Sequence, residues 1–306
     1  MIRLAHFSDI HLSSPRLDWK LEDWFSKRFT SWVNYRLLGR ARRFLLANDI
    51  VARLMVELLE RGIDHLIFSG DATALGFEAE FRYTAEALRI GSYAIPGLAV
   101  PGNHDYCTPS AEASGAFERF FAPWQEGQRI DGHGYPFAQK AGAIWLIGVN
   151  AATGNRWPTD AGGTVGPQQL ERLQRLLASL ESGLKILVVH YPLCVSNGLP
   201  ETKQYGLRDV NSLLEVANRG GVNLWLHGHR HTPYYLQQPA GAMFPVICAG
   251  SATQRHLWSY GEYTIEGTSL QALRRIYDPD ARGFRDAESF LLHLGPEPAA
   301  PARIQT

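Results

Sequence analysis

A short apolar run, Ile2-Arg3-Leu4-Ala5-His6-Phe7, leads directly into Ser8-Asp9-Ile10-His11 at the start of the chain. The run is typical of a buried β-strand, and the residues after it are polar. Open α/β sheets place their functional residues in loops at the carboxyl ends of strands. The first eleven residues therefore predict a strand that delivers Asp9 and His11 to a site.

The same arrangement recurs along the chain. Strands are predicted at 2–7, 63–68, 93–100, 143–149, 184–189, 222–226 and 245–249, and helices at 50–61, 78–90, 167–180 and 209–218. Strands that alternate with helices indicate an α/β fold. Polar residues follow five of the strands: Asp9, His11, Asp71, Asn103, His104, His190, His229 and His231.

Composition limits the class of protein. The chain has 306 residues with 45% hydrophobic side chains, which is enough for a sizeable core in one domain, predicted over 1–294. The Pro- and Ala-rich end, 295–306, is predicted to be a disordered tail. Thirty basic and thirty acidic residues leave no overall field that would attract nucleic acid, so such a partner is not expected.

Three features bear on location. The three cysteines form no CxxC pair, which favours a reducing compartment. The first residues do not have the pattern of an export signal, and no run of about 18 apolar residues would span a bilayer. The expectation is a cytoplasmic protein, either free or peripheral on the inner membrane face.

The polar motifs together indicate a centre for two metal ions. They are Asp9-x-His11, Gly70-Asp71, Gly102-Asn103-His104-Asp105, His190 and Gly228-His229-x-His231. Two neighbouring cations need anionic oxygen, a ligand that bridges them and imidazoles that add no charge. Each motif alone fits a turn or a core histidine, but the set supplies all three kinds of ligand.

These motifs resemble, in order and across about residues 1–255, those of the calcineurin-like metallophosphoesterases. The resemblance implies a two-sheet α/β/β/α sandwich, here with a helical insertion after the first strand at about 15–45. It also implies one metal held by Asp9, His11, Asp71 and His231, and a second held by Asp71, Asn103, His190 and His229. The two divalent ions are expected to be manganese, with iron, zinc and magnesium as alternatives.

In the same resemblance His104 assists the leaving group as a general acid, and Asp105 orients His104. The chain departs from the family at one point. Many relatives have Asp or Asn three residues after the Gly-Asp pair, where this chain reads Ala72-Thr73-Ala74. Hydrogen bonding around the bridging carboxylate is therefore expected to differ. Arg255, after the last predicted strand, is a candidate phosphate clamp.

The insertion carries the information on substrate class. Apolar residues recur at helical spacing, and between 16 and 43 there are eight basic residues against three acidic ones. A basic, aromatic-rich segment is expected to lie on an anionic membrane through 19–44, or to pack on the protein's own core or on a second subunit. The apolar residues of this stripe are Leu21, Trp24, Phe25, Phe29, Trp32 and Val33.

A metal centre beside such a segment favours a phosphorylated, lipid-linked substrate. The pattern is similar to the pyrophosphatases that cleave UDP-2,3-diacylglucosamine in lipid A synthesis, although the best-known of those enzymes carry Arg at the position of His104. The alternatives are a cyclic-nucleotide phosphodiesterase, a nuclease of the DNA-repair type and a non-catalytic metal-binding scaffold. A nuclease would be expected to show a broad basic groove, which the confined positive charge does not predict.

Overall fold

The computed structural model describes residues 1–295, in which thirteen strands form two sheets. The strands are β1 (Ile2–Phe7), β2 (His65–Phe68), β3 (Gly97–Ala99), β4 (Gln128–Arg129), β5 (Phe137–Ala141), β6 (Ile144–Gly148), β7 (Leu184–Val188), β8 (Leu224–His227), β9 (Tyr234–Leu236), β10 (Val246–Cys248), β11 (Ser259–Glu266), β12 (Ser269–Asp278) and β13 (Gly283–His293). One sheet has the order β13-β12-β11-β1-β2-β3, and the other β4-β5-β6-β7-β8-β10-β9.

The helices cover the outer faces of both sheets. They are α1 (Lys27–Arg36), α2 (Ala47–Glu60), α3 (Glu78–Ala87), α4 (Pro109–Ala113), α5 (Ala116–Phe121), α6 (Pro167–Ser179) and α7 (Val210–Arg219), with 3-10 turns at Leu21–Phe25, Arg40–Phe44 and Ala122–Trp124. α2, α3 and α5 pack on the first sheet, and α6 and α7 pack on the second. Both faces of each sheet are therefore buried near its centre, which explains the continuous apolar strands.

A third apolar layer lies between the sheets. Leu4 and Ile67 of the first sheet meet Leu146, Val188 and Leu226 of the second, and all five are fully buried. Neighbouring residues in β1, Ala5 and Phe7, point the other way into the helix-covered core. The layers run helix, sheet, sheet, helix, so the predicted two-sheet sandwich is confirmed.

The parallel strands explain why the polar motifs meet. β1, β2 and β3 run parallel in one sheet, and β6, β7, β8 and β10 run parallel in the other. Their carboxyl ends lie at one edge of the sandwich, where the loops after β1, β2 and β3 face those after β7 and β8. Five separate loops thus contribute to a single site.

The last part of the described chain differs from the sequence reading. No strand was predicted after residue 249, yet β11, β12 and β13 extend the first sheet as an antiparallel meander. β13 is largely exposed and has no apolar run, so pairing with β12 rather than its own pattern makes it a strand. The predicted tail, apart from Gly295, lies outside the described residues.

The insertion at 15–45, called the cap below, is helical but is not one amphipathic helix. A 3-10 turn over Leu21–Phe25 ends before Ser26, whose hydroxyl accepts a 3.1 Å hydrogen bond from the Arg28 amide and caps α1. The predicted apolar stripe is broken at that point. None of the helices in residues 1–295 is long and apolar enough to cross a membrane.

The broken stripe has two parts with different surroundings. Trp24, Phe29 and Trp32 form an aromatic cluster with Trp19, which itself packs on Phe77 of the protein body. Leu21 and Phe25, by contrast, face solvent, with Phe25 87% exposed. Trp24 is itself 48% exposed, but Trp19 and Trp32 pack on the buried core. The expectation that the whole stripe faces a lipid is therefore corrected, because Trp32 packs inward.

Candidate metal centre

Four of the predicted ligands form a compact group at the ends of β1, β2 and β8. Asp9, His11, Asp71 and His231 each offer one ligand atom, and these atoms lie within 4.8 Å of one another. His231 Nε2 is 3.2 Å from Asp9 Oδ1 and 3.1 Å from His11 Nε2. Two carboxylates and two imidazoles at this spacing suit a divalent transition metal.

The other predicted ligands form a second group beside the first. His190 Nε2 lies 3.2 Å from Asn103 Oδ1 and 3.5 Å from Asp71 Oδ2. His229 Nδ1 is 2.9 Å from the same Asn103 oxygen and 3.3 Å from His190 Nε2. One amide oxygen, two imidazole nitrogens and a shared carboxylate thus converge.

Asp71 belongs to both groups. Its Oδ2 atom is 3.7 Å from His11 Nε2 in the first group and 3.5 Å from His190 Nε2 in the second. Its other oxygen accepts a 2.8 Å hydrogen bond from the His104 amide, which fixes the plane of the carboxylate. A carboxylate in this position would bridge two cations held by the two groups.

The backbone at these positions is strained. Asp9, His11, Asp71, His229 and His231 all have positive φ, between 44° and 67°, a region that side chains other than Gly and Asn rarely adopt. Such strain persists only where the surrounding structure enforces it, and it concentrates at functional sites. Five of the seven predicted ligands therefore lie on loops shaped for the placement of their side chains.

Two glycines allow the loops to approach each other. A Cβ atom at Gly228 would collide with Ser8 Oγ and Asp9 Oδ2, and one at Gly102 would collide with Asp71 Oδ1. Both glycines adjoin a predicted ligand, His229 and Asn103. Close packing against the carboxylates therefore requires glycine at both positions.

The electrostatics of the centre favour positive charge. Burial alone would raise the pKa of Asp71, but His190, His104 and His11 outweigh it and hold that pKa well below its usual value. Burial opposes a charge on His190, yet Asp71 raises the pKa of this imidazole to about 9. Asp71 thus stays ionised, and a metal ion bound at His190 would take the place of the proton that this imidazole otherwise carries.

One buried atom tests directly whether the residues fit a metal. Asp9 Oδ1 is buried without a hydrogen-bond donor among the described residues, a costly state for a carboxylate oxygen. This is the same oxygen that lies 3.2 Å from His231 Nε2 and 3.8 Å from His11 Nε2. A cation between these three atoms would satisfy it, so the donor set fits the predicted metal.

His104 lies beside the two groups and makes contacts that differ from the expectation. Its Nδ1 atom is 2.8 Å from the Ala74 carbonyl oxygen, and its Nε2 atom is 2.8 Å from Arg40 Nη2 of the cap. Burial, and then the charge of Arg40, lower the pKa of His104 to about 3. Both ring nitrogens of His104 are thus engaged, one by the body of the protein and one by the cap.

Asp105 does not orient His104 as expected. Its carboxylate accepts hydrogen bonds from the amides of Gly102 at 2.9 Å, Thr73 at 3.0 Å and Ala72 at 3.2 Å, and from Thr73 Oγ1 at 3.1 Å. The Ala74 carbonyl holds the His104 ring instead. Asp105 therefore ties the loop after Asp71 to the loop that carries Asn103, and Thr73 contributes two of the hydrogen bonds in this tie.

A cleft of about 330 Å³ opens above the centre, and three cations line it: Lys27, Arg40 and Arg230. Arg255 does not line this cleft. Its side chain is exposed, and its amide donates to the Arg43 carbonyl oxygen of the cap at 2.7 Å. Sequence reasoning missed the two cap residues that line the cleft, Lys27 and Arg40, because they lie 44 and 31 positions before Asp71 in the chain.

Comparison with known proteins supports the same assignment. A family model described as calcineurin-like phosphoesterase matches residues 2–233. No match was found among curated proteins. Solved structures similar in fold include a dimetal phosphatase from Danio rerio, with TM-score 0.64 and 11% identity over 96% of this chain and 99% of that one.

Two further structures share the fold. The purple acid phosphatase PPD1 from yellow lupin has TM-score 0.61 and 16% identity over 95% of this chain and 53% of that one. GAP50, the anchor in the inner membrane complex of Plasmodium, has TM-score 0.54 and 10% identity over 96% of this chain and 89% of that one. At these identities the likeness concerns the fold alone. The family model and the convergence of the ligand residues show that the chain belongs to the calcineurin-like phosphoesterase family and is a metal-dependent hydrolase of phosphoric esters.

Proposed function

We propose that this enzyme hydrolyses a phosphodiester or pyrophosphate bond in a lipid-linked substrate, such as UDP-2,3-diacylglucosamine, with two divalent ions, manganese by preference. The observation that carries the lipid assignment is the composition of the cap where it borders the cleft. Residues 24–48 contain no acidic side chain. Arg40 from this segment lines the cleft, while Leu37, Leu38 and Leu45 on either side of it are exposed.

The metal ions would be held by Asp9, His11, Asp71 and His231 on one side and by Asp71, Asn103, His190 and His229 on the other. Bound there, two such ions supply a water of lowered pKa and neutralise the charge of phosphoryl oxygens. The residues of the chain do the rest. Asp71 keeps the two positions together, and Lys27, Arg40 and Arg230 attract and orient the anionic substrate.

The exposed part of the cap supports contact with an anionic lipid surface. Leu38 is 75% exposed and Leu37 69%, and Arg36, Arg42 and Arg43 beside them are also exposed. Apolar side chains flanked by arginines lie stably in the headgroup layer of an anionic membrane. Since the same segment borders the cleft through Arg40, a substrate with its acyl chains in the bilayer would present its phosphate to the centre.

Only part of the positive charge is available for this contact. Arg28 is buried and forms a 2.6 Å ion pair with Asp23, and it donates to the carbonyl oxygens of Leu75 and Gly76. Lys27 is buried beside the cleft. The membrane surface is therefore proposed for 36–45 rather than for the whole of 19–44.

A cyclic-nucleotide phosphodiesterase is the second candidate, because the polar, open cleft also suits a small soluble diester. Purified enzyme with added manganese should be assayed with UDP-2,3-diacylglucosamine in vesicles, cyclic AMP and single-stranded DNA. The proposal expects turnover of the lipid-linked substrate at a kcat/KM at least tenfold above the others. Equal or higher turnover of cyclic AMP would reject the lipid assignment, and absence of turnover with bis-p-nitrophenyl phosphate would reject catalysis and favour a scaffold.

A further inference from the structure

The cleft above the metal centre has a second wall besides the cap. This wall is formed by the loop between β6 and α6, residues 149–166, and the loop between β7 and α7, residues 189–209. Pro158, Thr159 and Ala161 of the first loop and Tyr205 of the second line the cleft. A substrate that fills the cleft therefore lies against these loops as well as against the cap.

The aromatic side chain of this wall is open to a ligand. Apart from histidines, Tyr205 is the one aromatic residue among 1–295 that lines the cleft, and it is 46% exposed. No other described ring stacks on it, and no described residue makes a hydrogen bond with its hydroxyl. An uncovered aromatic face beside an active site is available to stack on a planar ring of a ligand.

The two loops of the wall are braced against each other on both sides of Tyr205 in the sequence. Arg208 Nη2 lies 2.6 and 2.7 Å from the two carboxylate oxygens of Asp160, a charge-assisted contact. Gln204 Nε2 donates to the Thr159 carbonyl oxygen at 2.9 Å. Because residues 204 and 208 are both fixed to the first loop, the turn that carries Tyr205 is held in place before a ligand arrives.

The same wall is joined to two of the cations that line the cleft. Lys27 Nζ donates to the Asp160 carbonyl oxygen at 2.5 Å, and Arg230 forms an ion pair with Glu201, four residues before Tyr205. Cationic side chains suit phosphate oxygens. The cleft therefore combines positive charge for phosphate groups with an open aromatic face, and these are the two features by which a nucleotide is bound.

We propose that Tyr205 is a specificity-determining residue whose ring stacks on the nucleobase of a nucleoside diphosphate ester. This inference rests on the proposed hydrolysis of a lipid-linked pyrophosphate, and it names the part of that substrate which the second wall binds. The phosphate groups lie among Lys27, Arg40 and Arg230, the base lies on Tyr205, and the lipid-bearing group lies toward the cap. The two ends of the substrate are thus recognised by different walls of one cleft.

The test measures the binding of two ligands that share a sugar phosphate but differ in the base. UMP and ribose 5-phosphate are titrated by calorimetry, with added manganese, into the wild type, Tyr205→Ala and Tyr205→Phe. Trp157→Ala is the matched control, because Trp157 is a 74% exposed aromatic residue of the same wall that does not line the cleft. Ribose 5-phosphate also reports whether each variant keeps an intact phosphate site.

The wild type should bind UMP at least about tenfold more tightly than ribose 5-phosphate, the usual contribution of one base stacked on an aromatic ring. Tyr205→Ala should lose this difference, with UMP weakened about tenfold or more and ribose 5-phosphate changed less than about threefold. Tyr205→Phe keeps the ring and should bind UMP within about threefold of the wild type. Trp157→Ala should bind both ligands as the wild type does.

Three results would overturn the stacking contact. The first is equal binding of UMP and ribose 5-phosphate by the wild type, or no binding of UMP. The second is an equal weakening of both ligands in Tyr205→Ala, which would indicate a structural role for Tyr205. The third is a loss in Tyr205→Phe as large as that in Tyr205→Ala, which would assign the effect to the hydroxyl and not to the ring.

Failure of the proposed function gives a different pattern. A wild type that binds UMP through Tyr205 but does not turn over UDP-2,3-diacylglucosamine in vesicles would reject the lipid assignment and keep the nucleobase contact. Turnover of that substrate by the wild type, together with unchanged UMP binding in Tyr205→Ala, would keep the lipid assignment and reject the contact.

Discussion

The loops of the metal centre and the cap contribute to one cleft by different means. The loops carry the predicted ligands two to four residues beyond the end of a short strand, five of the seven on strained backbone. The cap carries exposed arginines and leucines on short helical turns, and only a few of its side chains reach the centre. Under the proposed function, the loops determine which chemistry is possible, and the cap selects the molecule that undergoes it.

The largest effect is expected at the residue shared by both groups. Asp71→Ala should reduce turnover of bis-p-nitrophenyl phosphate to the level without enzyme and remove bound metal. Both cation positions lose a ligand, and the negative charge that offsets the repulsion between the two cations is lost as well. Elemental analysis measures the metal, and Glu215→Ala on the exposed face of α7 serves as the control. Two metals per chain in the Asp71 variant would refute the bridging assignment.

A large effect is also expected where the loops approach each other. Gly228→Ala should destabilise the fold by about 1–3 kcal/mol and weaken metal binding, because the added methyl group collides with Ser8 and Asp9. Gly134→Ala is a fitting control, since a Cβ there meets nothing within 4 Å. Thermal unfolding with and without manganese measures both quantities. Equal behaviour of the two variants would show that the close packing is not required.

Glu80, a buried residue of α3 that holds the loop after Asp71, should make stability depend on pH. Its Oε2 accepts from the amides of Leu75 and Phe77 at 3.0 and 3.2 Å, and burial raises its pKa to about 7. The folded state therefore keeps this proton up to about pH 7, while the unfolded chain loses it near 4.5. Stability from the protonated group is present below pH 4.5 and is lost as the pH rises through 7.

Glu80→Gln removes this dependence. The free energy of unfolding of this variant, relative to that of the wild type, should increase by up to a few kcal/mol between pH 4.5 and 7 and then level off. Glu86→Gln, exposed on the same helix, should show no such trend. Denaturant unfolding at several pH values measures the difference, and parallel curves for all three proteins would contradict the assignment.

The smallest effects should separate the two parts of the cap. Trp32→Ala should lower stability by less than the roughly 3–5 kcal/mol of a fully buried tryptophan, because Trp32 is only partly buried against Trp19 and Phe29.

Leu38→Ser should leave stability within about 0.5 kcal/mol of the wild type. It should weaken binding to anionic liposomes, and the loss of binding relative to the wild type should be larger at high salt, where the attraction of the arginines is screened. A Leu38 variant with unchanged liposome binding would end the membrane assignment.

Sequence reasoning located the strands that carry the centre because each is buried on both faces and reads as an apolar run. β1 was predicted with its observed ends, and β7 within one residue. The predicted ligands after these strands come together in the structure. β11, β12 and β13 were missed, since β13 alternates weakly and is mostly exposed. Its conformation depends on a partner strand, which a local pattern does not reveal.

The sequence by itself determined the α/β sandwich and the residues predicted to hold two metals. Periodicity and motifs are local properties of the sequence, and parallel strands bring the residues that follow them to the same edge of the sandwich. Only the tertiary structure decided that Asp105 braces the Asp71 loop, that Trp19 and Trp32 of the cap pack inward, and that Arg40 faces His104 across 64 positions of the chain. These contacts join distant segments. Their partners are chosen by packing and hydrogen-bond geometry in three dimensions, for which the order of residues carries no signal.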